Sequence, residues 1–220
     1  MLVEVWSDVV CPWCYIGKRR FEEARRQLDA DPAFDEEIDV VYRPYQLDPS
    51  APATPTPVRD AYARKFGGPE QADQIINHVT GVAAESGLDF HLERAQRANT
   101  GDAHRLLWWA RQGGPPGAQD ALKERLLRAY FVEGENIADR DVLASAAEAA
   151  SLDGAAARRA LDEGTGAAEL IESLAFAAEA GITAVPTYVL DGRWSIPGAR
   201  DPDTFVQVIK RLTAKARDEA

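Results

Sequence analysis

The stretch Cys11-Pro12-Trp13-Cys14 limits this chain more than any other, because it holds both cysteines and sits where two kinds of pattern meet. Before it, Leu2 to Ser7 is rich in Val and Trp and reads as a strand. After it, Cys14, Gly17, Phe21, Ala24 and Leu28 recur at steps of three and four, one inner face of a helix over about 12–28. Lys18, Arg19, Arg20, Arg25 and Arg26 lie outside that face and read as solvated. Pro12 suits the first helical position, having no N–H to leave unpaired and a φ already helical. Cys11 then falls at the N-cap. A thiol pair is therefore expected at the hinge between a strand and a helix.

The remaining pattern builds around that hinge. A second strand is expected over Ile38–Leu47, with Pro44 marking an edge, bulge or bend because it lacks a ladder donor. Strand, helix, strand in this length is a βαβ unit, parallel and right-handed. At Asp48 the texture changes, with Pro49, Pro52, Pro55 and Pro57 forming a stiff connector. Helices follow: from Thr56-Pro57 to Gly67, from Pro69 to near Gly87, one capped by Asn99 or Thr100, one marked by Leu122, Leu126, Ala129 and Tyr130, and two capped by Asp139 and Asp153. From Thr165 to Ala180 another helix carries Leu170, Ile171, Leu174 and Ala178 on one side. A strand is expected over Ile182–Leu190, an Asp191-Gly192 hairpin turn of the I′ kind, a returning strand over 193–196, and a last helix capped at Asp201-Pro202. The layout is an α/β domain made of 1–48 and 165–220, interrupted by an all-helical insertion over 49–164.

Composition narrows the function classes. A net charge of −11 argues against nucleic acid or anionic lipid as the main partner. No run of 18 apolar residues exists to span a membrane, and Glu4 and Asp8 interrupt what a signal peptide would need as an apolar core. The expected location is cytoplasmic, where structural disulfides are rare, so two cysteines two residues apart are catalytic or metal-binding candidates. A zinc site needs four ligands, and His78, His91 and His104 form no close pair; no metal site is expected. Redox chemistry remains. Unpaired N–H groups and the dipole at a helix start favour a thiolate. Cys11 is thus expected to be an acidic, exposed nucleophile that can accept from the N–H groups of Trp13 and Cys14, with Cys14 the inward, resolving thiol.

The order strand, Cys-Pro-Trp-Cys, helix, then Val185-Pro186-Thr187 heading a strand and Asp191-Gly192 before a returning one resembles the thioredoxin fold, and the helical insertion resembles the DsbA family. The wording of residues 7–18, together with Tyr42–Leu47, Ala103–Leu106 and Ala129–Phe131, is similar to the FrnE-like branch of that family. The resemblance implies a βαβ…αββα fold and a thiol–disulfide oxidoreductase or disulfide isomerase acting on protein or small-molecule thiols and disulfides. It implies that Pro186 is cis and packs against the redox pair, and that Val185 offers its backbone to an incoming strand. It implies no tightly bound cofactor beyond a redox-active disulfide, with glutathione as a candidate co-substrate, in a monomer or homodimer. The same scaffold is similar to 2-hydroxychromene-2-carboxylate isomerases and kappa-class glutathione transferases, which act on small aromatic substrates. Those place a Ser where this chain has Cys11, and Cys14 would then be idle.

Other residues carry weaker signals. Pro12 and Trp13 set loop stiffness and access to the thiols. Asp8 would raise a nearby thiol pKa by like-charge repulsion, or serve as a loop cap. His104 is either a ligand of the thiol site or a core histidine. Trp13, Trp108 and Trp109 are candidates for an apolar groove, Trp109 more simply as core. Gly198, Ala199 and Arg200 open the last helix, where the anionic part of a ligand could bind.

Overall fold

The computed structural model describes residues 1–52 and 54–218. A four-stranded sheet runs in the order β2-β1-β5-β6, from β1 (Leu2–Ser7), β2 (Asp39–Pro44), β5 (Thr187–Leu190) and β6 (Trp194–Pro197). β1 pairs parallel with β2 and antiparallel with β5, and β5 pairs antiparallel with β6. Every strand of this sheet comes from the two ends of the chain. Between β2 and β5 lie a two-stranded ribbon, β3 (Thr56–Pro57) with β4 (Gln96–Arg97), and helices α2 (Val58–Phe66), α3 (Pro69–Glu85), α4 (Gly101–Gly113), α5 (Ala118–Arg128), α6 (Arg140–Ala149), α7 (Gly154–Asp162) and α8 (Ala167–Glu179). One π-helical turn, Ala129–Glu133, continues α5.

The alternation of β1 decides which helix covers which face. Val3 and Val5 point to a core shared with Phe21, Ala24 and Leu28 of α1 (Pro12–Asp29) and Phe205 and Ile209 of α9 (Pro202–Asp218). Trp6 points the other way and stacks on Phe176 of α8 at 5.8 Å. A second core fills the helical region and draws in Val9, Tyr15 and Ile16. Helix α1 therefore serves both cores. Strand β2 lies at an edge, where the carboxamide of Gln119 accepts from the Tyr42 N–H at 2.9 Å and donates to the Tyr42 carbonyl at 3.0 Å, occupying backbone groups the sheet leaves open.

Several sequence expectations are corrected. The expected strand over Ile38–Leu47 is shorter and ends at Pro44. The strand expected from Ile182 begins at Thr187, after a cis Val185–Pro186 peptide. Thr56-Pro57 forms ribbon and not helix, because it pairs with Gln96-Arg97. Ile171 and Ala178 are exposed; α8 buries only Ala177 fully. Lys18 is buried, because α5 and its acids Asp120 and Glu124 close over it. The hairpin turn is as expected, with positive φ at both Asp191 and Gly192. The capping also follows the sequence: Asp139 accepts from the Asp141 N–H, Asp153 from the Ala156 N–H, and Asn99 from the Gly101 N–H.

Candidate active site

The site begins where β1 hands over to α1. Cys11 is the N-cap in extended conformation, and Pro12 is the first helical residue. The Cys11 N–H bonds the Asp8 carbonyl at 3.4 Å, and the Cys11 carbonyl accepts from the Cys14 N–H at 3.0 Å. The sulfur does not take the capping role expected of it. No helix-start N–H bonds to Sγ; the thiol lies 3.7 Å from the Val185 carbonyl and donates to it. Nor is it an open thiol: Cys11 and Cys14 are each 3 % exposed. The cis-proline segment, 174 residues away in sequence, closes over it. Both cysteines are free thiols.

Loops from three places hold the pair. The N–H of Gly198 bonds the Pro186 carbonyl at 2.7 Å, fixing the cis-proline turn from behind. Gly17 lies under the same turn, and an added Cβ there would stand 3.0 Å from Pro186 Cγ and 2.7 Å from Tyr188 Oη. Arg20 donates to the Ala199 carbonyl at 2.7 Å, and Arg200 donates to the Pro197 carbonyl. Gly198 and Ala199 thus brace Pro186 and α1, while Arg200 is exposed; none of the three lines the cavity over Cys11.

That cavity is about 680 Å³. Its floor is Cys11, Pro12, Trp13 and the backbone run Thr183–Val185. Its other walls come from the helical region, where Val58, Tyr62, Phe66, Ile75 and Val79 make an apolar roof on α2 and α3. Trp13 is 38 % exposed and faces the His78 ring at 6.3 Å. Trp108 and Trp109 are not part of it; Trp108 packs by Gly166 and Trp109 against the helical core. Tyr62 and Phe66 escaped the sequence reading because nothing local in α2 shows what its apolar side faces.

Beneath the thiols lies a buried polar cluster. Asp8 is fully buried; its carboxylate accepts from the Leu47 N–H at 2.8 Å and meets His104 Nε2 at 3.2 Å. His104 also reaches the Tyr45 carbonyl at 3.0 Å. So Asp8 is a loop brace, and His104, 4 % exposed, ties α4 to it instead of opening onto the cavity. Lys123 of α5 joins the cluster from the helical side. It is 1 % exposed, its Nζ has no hydrogen-bond partner among the described residues, and it stands 5.6 Å from the Tyr42 ring. Burial pulls its ammonium down to about 8, against the pull of Cys14, Asp8 and Cys11. Burial pushes the Cys14 thiol well above its usual value, and Cys11 adds to this; Lys123 acts in the opposite sense. No cluster of three or more metal-ligating side chains occurs among the described residues.

Residues 2–210 match the DSBA-like thioredoxin domain family. The chain belongs to this family. It is 31% identical over 220 residues to the uncharacterized protein YwbO of Bacillus subtilis, with 94% of each chain covered. It is 33% identical to the crystal structure of a probable DsbA oxidoreductase from Streptomyces coelicolor, with a TM-score of 0.86, covering 97% of this chain and 90% of that one. It shares its fold, at 20% identity and a TM-score of 0.67, with the cytosolic disulfide reductase DsbM of Pseudomonas aeruginosa, covering 97% and 99%. The family is one of DsbA-like thiol–disulfide oxidoreductases, on a thioredoxin-like α/β fold.

Proposed function

We propose that the chain exchanges disulfides with protein or small-molecule thiols, with Cys11 as the exchanging sulfur and Cys14 as the resolving one. The observation that supports this most is the position of Cys11 Sγ, 3.7 Å from the Val185 carbonyl on the floor of the cavity, with Cys14 buried one helical turn behind. In the reducing direction the Cys11 thiolate attacks a substrate disulfide and a mixed disulfide forms. One substrate sulfur leaves as thiolate and takes a proton from solvent. Cys14 then attacks Cys11 Sγ, the bond from Cys11 to the second substrate sulfur breaks, and the Cys11–Cys14 disulfide forms. Two electrons pass to the substrate, and an external thiol such as glutathione resets the pair. The oxidising direction is the reverse. Val185 presents backbone groups to the substrate strand, Pro186 holds that turn against the thiols, and Pro12 and Trp13 shape the entrance. Residues 49–164 act as a helical insertion whose α2 and α3 select what reaches Cys11. A reducing, cytosolic setting suits a pair of free thiols and is the setting named for DsbM.

Cys11→Ser is expected to abolish insulin reduction and scrambled-disulfide isomerisation, and Cys14→Ser to trap a mixed disulfide on Cys11. Unchanged turnover in Cys11→Ser overturns the reading. Because DsbM is also known with glutathione, calorimetry with reduced glutathione on the unaltered chain is informative. Tight binding there, without a mixed disulfide, would favour a glutathione-dependent isomerase or transferase.

A further inference from the structure

The wall over Cys11 runs against the charge of the chain. The protein carries −11, with 25 Lys and Arg against 36 Asp and Glu, so its overall field repels small anions. Yet the last turn of α2 carries Arg64 and Lys65, both of which line the cavity, and residues 61–69 contain no acid. Neither cation is in an ion pair among the described residues; Lys65 Nζ stands 5.5 Å from the Phe66 ring. The other charged pair on the wall, Arg97 and Asp48, cancels itself at 2.6 Å. Earlier in α2, Arg59 and Asp60 lie outside the lining, and Arg59 pairs with Asp73. The cavity therefore holds two cations without a counter-charge.

A helix favours bases in its last turn, which accounts for Arg64 and Lys65 as far as α2 is concerned. It does not account for the apolar surface beside them. Of the seven large apolar side chains exposed among the described residues, three line this one cavity: Trp13, Leu47 and Phe66. Exposed apolar surface gathered in a concave site marks a place where a ligand rests. The volume of about 680 Å³ falls within the range of sites that enclose small molecules. Cys11 is 3 % exposed on the floor, out of reach of a disulfide on the surface of a folded protein.

We propose that the preferred substrate at Cys11 is a low-molecular-weight disulfide with an apolar body and a carboxylate, the body against Trp13 and Phe66 and the carboxylate on Arg64 and Lys65. This rests on disulfide exchange at Cys11 and names the substrate class of that site. The attacking sulfur is a thiolate, so a carboxylated disulfide approaches like charge, and two fixed cations offset the repulsion. The Cys11 thiolate attacks one substrate sulfur, the substrate S–S bond breaks, and one half leaves as thiolate. Cys14 gives its proton to solvent, and its sulfur displaces the second half from Cys11 Sγ. The substrate gains two electrons and the cysteine pair becomes a disulfide. Arg64 and Lys65 take part in neither bond change.

The test is stopped-flow oxidation of the reduced protein by two aromatic disulfides, dithiobis-nitrobenzoate, a dianion, and dithiodipyridine, which is neutral. The readout is the ratio of their rate constants, in which the reactivity of Cys11 itself cancels. Arg64→Gln with Lys65→Gln is expected to lower the ratio about fivefold, and Arg64→Lys with Lys65→Arg to restore it. The gap between parent and glutamine variant is expected to close at about 1 M salt, where charges are screened within ~3 Å. Phe66→Ser is expected to cut the preference for dithiobis-nitrobenzoate over dithiodiglycolate, an aliphatic dianion, about threefold; an unmoved preference overturns the apolar half of the proposal. A ratio unmoved by Arg64→Gln with Lys65→Gln, or rates on both aromatic disulfides falling together, overturns the anionic half. So does an equal fall when two cations are removed from α9, by Lys210→Gln with Arg217→Gln, since net charge alone would then explain it. A parent that reduces neither disulfide overturns the exchange reading and this proposal with it; a parent that reduces both, with an unmoved ratio, overturns this proposal alone.

Discussion

Lys123→Met should make this protein more stable, and the gain should disappear as pH rises. A lysine in the unfolded chain titrates at 10.5, and burial brings Lys123 down to about 8 in the fold. Between those values the unfolded chain binds the proton and the folded one does not. Stability therefore rises with pH through that window, and the full cost of the buried charge applies below pH 8. A shift of this size corresponds to roughly 3 kcal/mol at pH 7, falling to about 2 kcal/mol at pH 9 and under about 1 kcal/mol at pH 10. Lys123 is 1 % exposed, so solvent offers little relief from that cost. Methionine nearly conserves the volume, and repacking should offset less than about 1.5 kcal/mol. The assay is urea unfolding of both proteins at pH 7, 8, 9 and 10, read as a difference so that the buried tyrosines, titrating alike in both, cancel. A variant no more stable than the parent at pH 7, or an advantage that does not shrink with pH, refutes the reasoning. It would mean that Lys123 is solvated or paired in solution.

Two other perturbations probe the frame around the thiols. Gly17→Val would place Cβ 2.7 Å from Tyr188 Oη and 3.0 Å from Pro186 Cγ; it should cost about 1–3 kcal/mol, and an unchanged urea midpoint would show that this turn is looser than described. At Glu124, burial alone would raise the carboxyl, but the Tyr15 hydroxyl, Lys18 and Arg19 outweigh it and hold it below its ordinary 4.5. Its contribution is then present above pH 4.5 and lost as pH falls through the lower folded value, so Glu124→Gln should destabilise at pH 7 and converge on the parent in acid; equal curves at every pH would rule the network out.

Much of the frame was legible because its signals are local. Pro12 at the first helical position, the Cys14-to-Leu28 face, the Asp139 and Asp153 caps and the Asp191-Gly192 turn each need only their sequence neighbours. The family resemblance supplied what locality could not, the pairing of Cys11 with Val185 and Pro186 across 174 residues. What stayed hidden depends on distant partners. Lys18 read as surface because α1 alone does not reveal that Asp120 and Glu124 will cover it. Lys123 sits in Ala-Leu-Lys-Glu-Arg-Leu-Leu, a sequence typical of a solvated helix, and nothing within it announces burial. Ile171 on α8 failed in the opposite direction: apolar spacing predicted an inner face, whereas Trp6 needs only one ring, that of Phe176, from that helix.

The cavity above Cys11 is assembled from separate tracts of chain: the two ends bring the sulfur and the cis-proline turn together, and the helical region between them lends an apolar roof with Arg64, Lys65, His78 and Arg97 beside it. Such a division lets history act on them independently. Side chains at Val58, Tyr62, Phe66 and Ile75 can drift in size and polarity, reassigning the protein to new clients, while the sulfur geometry a few ångströms below is left untouched. Descendants of this chain could therefore diverge in whom they serve long before they diverge in what they do.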